Sequence, residues 1–493
     1  MPTDSQLYQA GEILSEMLNE IEQRKPQILF DWSGGLQRLK LDQMIEQSRE
    51  GLVSLDLQSG QFITDETFLD KWTVEQRDIL RQRLSEAMEI PYEAKPQLEV
   101  APQLSDKPLI DFEFPINSSD FYPKTPTEKV NANLTAIKLT KELKGQLATP
   151  EQQQILGKYV GWGGLADTIF DESNPRFENQ RNELKALVSK DEYAEMRKSS
   201  LTAFYTDPKV IQTIYAQLQT LGFEGGRILD PSMGTGNFFA AMPGEMKENS
   251  SLYGVEIDNI TGEIAQQLHQ KSDIQIKGFE STHFANDGLD LVITNVPFSE
   301  VIRLADEQYD NVYPIHDYFI KKSLDLVHEG GLVAIITSTG TMDKKDSRFR
   351  KELSKTANLV SAVRLPNGTF KSIAGTDVSS DLLIFQKTST PDPHPNWIKT
   401  ELQKDGKGNQ INVNHYFMEN PQYLLGQIKI ETFNRGMLSV VRDFEQEQLY
   451  DKITEAFSHQ AEVAYYGEHE ASVFEEALQV ESDVPQEIIA QSE

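Results

Sequence analysis

The sequence predicts an α/β protein whose core alternates strands and helices from about residue 201 to 388. Three observations carry that expectation. Short apolar runs recur at Ile228-Leu229, Leu252–Ile257, Ile274–Lys277, Leu289–Thr294 and 332–337, with helical spacing between them. Polar or acidic residues sit at the ends of these runs, at Asp230, Glu256, Glu280 and Asn295. A Gly-x-Gly turn, Gly234-Thr-Gly236, follows the first run and opens a helix that Pro243 stops. Ligands of open α/β sheets bind at the carboxyl edge of the strands, so these tips form one candidate site.

The first run ends in Asp230-Pro231-Ser-Met-Gly234-Thr-Gly236-Asn-Phe-Phe239. Gly-x-Gly lets a ligand approach the backbone closely. A dinucleotide fingerprint would need a third glycine where Phe239 stands, which argues against NAD. No Gly-x-x-x-x-Gly-Lys-Ser/Thr occurs, so a nucleotide-driven motor is not expected. Glu256 ends the second run about twenty residues past the glycines, where a carboxylate can accept both hydroxyls of a ribose. Glu280, at the tip of the third, could accept from an adenine amino group. Either acid alone reads more readily as a solvated loop charge; three at successive strand tips beside a Gly-x-Gly turn reverse that and favour a nucleoside ligand.

The fourth run ends in Asn295-Val296-Pro297-Phe298. This pattern offers a side-chain amide oxygen, a backbone carbonyl and an aromatic face, a set suited to a planar, weakly nucleophilic amino group. Pro297 has no N–H and a fixed φ, which stiffens the turn. Taken alone, a polar turn after a buried strand explains it as well.

In this order the residues resemble S-adenosylmethionine-dependent DNA adenine-N6 methyltransferases of the N-x-P-F/Y type, with their Rossmann-like class I methyltransferase sheet. Ala203-Phe204-Tyr205-Thr206-Asp207-Pro208 is similar to the family's segment capping the methionine end of the cofactor. The resemblance implies that Asp230 faces the methionine amino group, within the loop of Pro231, Gly234 and Gly236. It further implies that Glu256 holds the ribose and Glu280 the adenine, and that Asn295, Val296, Pro297 and Phe298 receive the target base. Thr369-Phe370, ahead of Val378–Lys387, resembles the segment whose aromatic helps hold a flipped base. Tyr159-Val-Gly161-Trp162-Gly163-Gly164-Leu165 together with the Asn295 motif is most similar to the methylase portion of large methylase–helicase proteins of mobile elements and phages. The commoner motif has proline where Val296 stands. That position serves through its carbonyl, so proline should be tolerated there.

The length of 493 residues permits two to three domains. Without cysteine there is no disulfide and no thiolate site, and the histidines lack metal-ligand spacing. No apolar stretch approaches a membrane span and no leader is evident, so a cytoplasmic protein is expected. Residues 1–90 have helical spacing at Ser5–Arg24 and Glu66–Met88, and 91–126 form a proline-rich linker or strap. Residues 127–200 read as a helical extension broken at Gly161-Trp162-Gly163-Gly164. Residues 389–440 form a small module, followed by an acidic tail over 441–493 that reads as a mixture of helix and disorder. Asp171 with Glu183-Leu-Lys185 mimics a nuclease motif, but Phe177–Val188 has helical spacing whereas that chemistry needs a strand.

The net charge of −30 argues against simple DNA binding, yet it is unevenly spread. Residues 1–125 hold 23 acids and 12 bases, and 441–493 hold 14 acids and 2 bases. The acidic flanks suggest protein partners or cover for a basic groove. Lys344, Lys345, Arg348, Arg350, Lys351 and Lys355 form a basic cluster past the strand at 332–337, read as phosphate contacts to double-stranded DNA or as a solvated face. Competing functions are methylation of RNA or protein amides, and a non-catalytic acidic antirestriction protein.

Overall fold

The computed structural model describes residues 29–31, 39–40, 52–56 and 61–64, then 108–115, 121–200, 205–298, 302–306, 308–309, 311–370, 378–404, 408–431 and 437–459. The chain divides into two compact units, Met1–Pro108 and Leu109–Glu493. In the first, the described residues form a four-stranded sheet. Leu29–Asp31 pairs antiparallel with Leu39–Lys40 and parallel with Leu52–Asp56, which pairs antiparallel with Gln61–Thr64. A purely helical reading of 1–90 therefore missed this sheet, and the helices expected at Ser5–Arg24 and Glu66–Met88 lie outside the described residues.

The second unit is built on seven strands: β1 (Arg227–Asp230), β2 (Ser251–Glu256), β3 (Asp273–Ile276), β4 (Leu289–Asn295), β5 (Val327–Ser338), β6 (Ala357–Leu365) and β7 (Ser380–Lys387). Their spatial order is β3-β2-β1-β4-β5-β7-β6. β1 to β5 are mutually parallel, and β7 runs antiparallel between β5 and β6. The inner strands are buried on both faces, so they read as continuous apolar runs instead of alternating ones. Helices Pro208–Thr220, Asn259–Leu268 and Ile315–Leu326 connect or flank the strands; the buried stripes of the first and third complete the main core, to which Asn259–Leu268 gives Ala265.

A second core lies under the helical extension. Helices Pro126–Leu143 and Pro150–Leu156 pack on Asn259–Leu268, and both begin with a threonine capping box and a proline. The end of the proline-rich stretch is a strap on this surface: Phe112 N–H donates to Leu268 O at 2.6 Å, and Phe112, Phe114 and Phe121 are buried. At the opposite sheet edge Arg364 on β6 makes a buried bidentate bond to Asp381 on β7, at 2.7 and 2.8 Å, and a third to Asp343 at 2.7 Å. Asn414 joins the small module to this cluster, its N–H donating to Asp343 at 2.8 Å.

The acidic segment after 441 begins as structure. Helix Leu449–Ser458 buries Leu449, Ile453, Ala456 and Phe457 and docks on helix Pro208–Thr220. Residues 460–493 lie outside the described part. Among the described residues no helix is long and apolar enough to cross a membrane.

Candidate active site

Asp230, Glu256 and Asn295 close β1, β2 and β4, and Glu280 occupies a 3-10 turn, Phe279–Ser281, just past β3. These four strands are neighbours in the sheet, and the chain reverses its direction of build between β1 and β4. That reversal is the switch point at which open α/β sheets take their ligands.

Asp230 is 1% exposed, and its Oδ1 accepts the Ser232 N–H at 3.2 Å; no hydrogen bond reaches Oδ2, because the nearby Thr294 hydroxyl is engaged with Ser232 Oγ at 2.9 Å. Burial raises its carboxyl to about 7. A buried carboxylate oxygen lacking a donor is costly, and a ligand ammonium would relieve the cost. Glu256 accepts the Gly234 N–H at 2.9 Å through Oε2 and the Asp258 N–H at 2.8 Å through Oε1. Burial, with the nearby Asp258 charge, raises it to about 7. Gly234 and Gly236 have φ of +57° and +84°, the left-handed region that glycine enters freely. A Cβ at Gly236 would lie 2.2 Å from His269 Nε2, whereas one at Gly234 would only touch the Tyr205 ring at 3.4 Å.

Tyr205 and Thr206 are buried over this turn; Ala203 and Phe204, from the same expected segment, lie outside the described residues. The Gly161-Trp162-Gly163-Gly164 break packs on Tyr205: a Cβ at Gly161, where φ is +64°, would sit 2.6 Å from its ring. Buried Asn133 fixes that approach, donating to Gly161 O at 2.6 Å and accepting the Val160 N–H at 2.9 Å. Asn237 donates to Thr206 O at 3.1 Å and accepts from Tyr122 Oη at 3.1 Å. The strap and the glycine turn thus hold the Tyr205-Thr206 segment together.

Asn295 Nδ2 donates to Thr206 Oγ1 at 3.1 Å, which orients the amide with its oxygen at the opposite end. Ser232 Oγ donates to Asn295 O at 3.0 Å and shares a hydrogen bond with Thr294 Oγ1 at 2.9 Å, so the glycine turn and the motif brace each other. Pro297 and Phe298 are half-buried, with Phe298 against the rim of the main core. Phe370 is enclosed within that core at 2% exposure, so in this conformation its ring presents no open face to a base.

The side chain of Val296 is also core, 1% exposed, consistent with service through its backbone alone. Its N–H, however, donates to Ile336 O on β5 at 3.0 Å. Proline cannot make that bond, so the expected tolerance of proline here is corrected. Val296→Pro should lower the unfolding free energy by about 1–3 kcal/mol, since a buried carbonyl loses its donor. Thermal and denaturant unfolding measure this, and an unchanged midpoint would contradict it.

The basic cluster divides. Arg350 is 1% exposed and donates to Ile398 O at 3.0 Å, Thr341 O at 3.0 Å and Lys344 O at 2.7 Å. It is an internal brace and not a phosphate contact, because its guanidinium is spent on carbonyls. Arg348 is exposed but forked onto Asp346. Lys344, Lys345 and Lys351 are exposed, with Lys344 Nζ 3.6 Å from Asp317. The nuclease-like Glu183-Leu-Lys185 lies on helix Glu178–Leu187, where Lys185 pairs with Glu172 at 2.8 Å.

Sequence reasoning missed Asn133, Ser232, Asn237 and His269. Asn237 left a signal, a polar residue heading the apolar run Phe238-Phe239-Ala240. Asn133 and His269 left none, since their partners lie 28 and 34 residues away.

Strand order, the antiparallel β7 and the acids at the tips define a class I methyltransferase fold. Residues 189–418 match the N-6 DNA Methylase family. Over 262 residues the chain is 29% identical to "Defense against restriction protein B" of Escherichia phage P1, covering 52% of this chain and 10% of that protein. It is 24% identical over 192 residues to the "Type I restriction enzyme EcoEI methylase subunit" of Escherichia coli, covering 33% of this chain and 38% of the subunit. The chain therefore spans only a minor part of the length of either relative. Among solved structures, the type I restriction-modification methyltransferase subunit of Streptococcus thermophilus is 14% identical with a TM-score of 0.34, over 80% of this chain and 87% of that one. The family implies S-adenosylmethionine as cofactor.

Proposed function

We propose that the chain transfers a methyl group from S-adenosylmethionine to N6 of adenine in DNA, in the restriction or antirestriction setting of a mobile element or phage. The observation that carries this reading is Asn295 at the tip of β4, its amide oriented by Thr206, beside a buried Asp230 whose Oδ2 lacks a donor. Asp230 would accept from the methionine ammonium, Glu256 from the ribose hydroxyls and Glu280 from the adenine amino group. Tyr205, whose ring lies against the Gly234 position of the turn, would cover the methionine end. When bound, S-adenosylmethionine supplies an electrophilic methyl on a sulfonium.

The Asn295 side-chain oxygen and the Val296 carbonyl accept the two N6–H bonds of an adenine turned out of the duplex. They draw the nitrogen toward tetrahedral geometry and stabilise the positive charge that develops on it. Phe298 lies alongside the base, and positioning for in-line attack supplies much of the acceleration. Lys344, Lys345 and Lys351 remain the candidate phosphate contacts.

Because Asp230 and Glu256 are both raised to about 7, cofactor affinity should depend on pH. The ionised carboxylates bind the ammonium and hydroxyls, so affinity should be weak at pH 6 and rise through pH 7, by about tenfold per unit for each acid below its pKa. Titration calorimetry with S-adenosylmethionine at pH 6 and 7.5 measures this. No binding at either pH would refute the enzymatic reading, and long-read mapping of modified bases in expressing cells tests the acceptor.

A further inference from the structure

Lys322 lies on helix Ile315–Leu326, 1% exposed, deep beneath the tip of β3. An ammonium has three donors and no acceptor. Here all three are spent: on Phe279 O at 2.8 Å, on Thr282 O at 3.3 Å and on Asp306 Oδ2 at 2.9 Å. The two carbonyls flank Glu280 in sequence, one on the first residue of the short turn that presents it and the other on the residue just past its end. The rest of the pocket is aromatic, with Nζ 4.8 Å from the Phe279 ring centroid and 5.8 Å from that of Tyr318. Tyr318 Oη also donates to Asp306 Oδ2, at 2.6 Å. Asp306 belongs to the chain leaving the Asn295–Phe298 motif, so one ammonium ties that chain to the Glu280 turn.

Burying a lysine is costly, and the usual interior solution would be a methionine or leucine. A short turn needs no such anchor to close, since Ser281 N–H already donates to Gly278 O at 3.0 Å and Thr282 N–H to Phe279 O at 3.2 Å. What Lys322 adds is a fixed height and rotation of the turn relative to the sheet, and with them the direction of the Glu280 carboxylate. We propose that Lys322 is a positioning residue for the cofactor's adenine subsite: by gripping both carbonyls beside Glu280 it aims that carboxylate at the exocyclic amino group of the purine. The proposal rests on Glu280 being the adenine contact.

Its test is a specificity ratio, which loss of general stability would not move. Calorimetric affinity is measured for S-adenosylhomocysteine and for S-inosylhomocysteine, which carries a carbonyl in place of the amino group. Wild-type protein should prefer the adenosyl ligand by about tenfold or more, the scale on which a site built for one donor rejects its analogue. Glu280→Ala should bring the ratio near one. Lys322→Met, similar in length but without donors, should bring it within about threefold of one although Glu280 is present. Lys322→Met/Asp306→Asn leaves no unpaired buried charge and is read in the same way, so poor folding of the single variant does not decide the matter. A ratio unaffected by Glu280→Ala would refute the Glu280 assignment. A ratio abolished by Glu280→Ala but kept in the folded lysine variants would overturn the role of Lys322 while leaving that assignment intact.

Discussion

Asn295→Ala is expected to reduce methyl transfer by about 10²-fold or more while leaving S-adenosylmethionine affinity within about threefold of wild type. The loss follows from removing an acceptor that gains strength only as charge develops on the target nitrogen. Cofactor affinity should survive because the bonds that link Asn295 to the proposed cofactor cradle are braces the cradle can spare. Its amide nitrogen donates to Thr206 Oγ1, and its backbone carbonyl, which alanine keeps, accepts from Ser232. Thr206 would lose one bonded neighbour, while its backbone carbonyl stays held by Asn237. Single-turnover methylation of duplex DNA and calorimetric cofactor binding, measured on the same preparation, separate the two effects. A parallel loss of both would assign Asn295 to the cofactor instead of the acceptor. Full activity in the variant would remove it from the chemistry altogether.

The sheet was legible because its inner strands are buried on both faces and its tips carry the polar groups. Ile228-Leu229 followed by Asp230, and Leu289–Thr294 followed by Asn295, announce both a strand and its chemical end. What escaped was whatever depends on partners far along the chain. Thr206 is assigned to the cofactor by resemblance, yet its hydroxyl meets Asn295 across 89 residues. Arg350 and Arg348 look alike in a run of bases, and only the fold turns one toward three carbonyls and leaves the other in solvent. Helix Leu449–Ser458 lies in the acidic segment read as part helix, and four apolar residues at helical spacing suffice to dock it. The strands between Leu29 and Thr64 are two to five residues long, too short for a period of two to stand out.

The two glycines of the turn should respond very differently to a methyl group. Gly236→Ala is expected to destabilise the protein by about 2–5 kcal/mol, combining the left-handed backbone cost with overpacking. The obstacle is His269, whose Nε2 would lie 2.2 Å from the new Cβ. That ring cannot easily withdraw. It is 1% exposed, its Nε2 is 3.1 Å from Thr235 O, and its edge packs against Phe239 with centroids 5.7 Å apart. Distortion there would pass directly into the turn and its Gly234 N–H bond to Glu256, so cofactor binding should fall as well. Gly234→Ala meets only the Tyr205 ring at 3.4 Å and should cost about 1–2 kcal/mol, the backbone term alone. Gly234→Arg should cost more than Gly234→Ala and lose cofactor binding, because its side chain must displace the buried Tyr205 ring that covers the turn. Denaturant unfolding and calorimetry on the three variants give the order. The cause is isolated by Gly236→Ala/His269→Ala, which opens the blocked space and should bind cofactor more tightly than Gly236→Ala alone. If the double variant binds no better, the contact with His269 is not what makes position 236 require glycine.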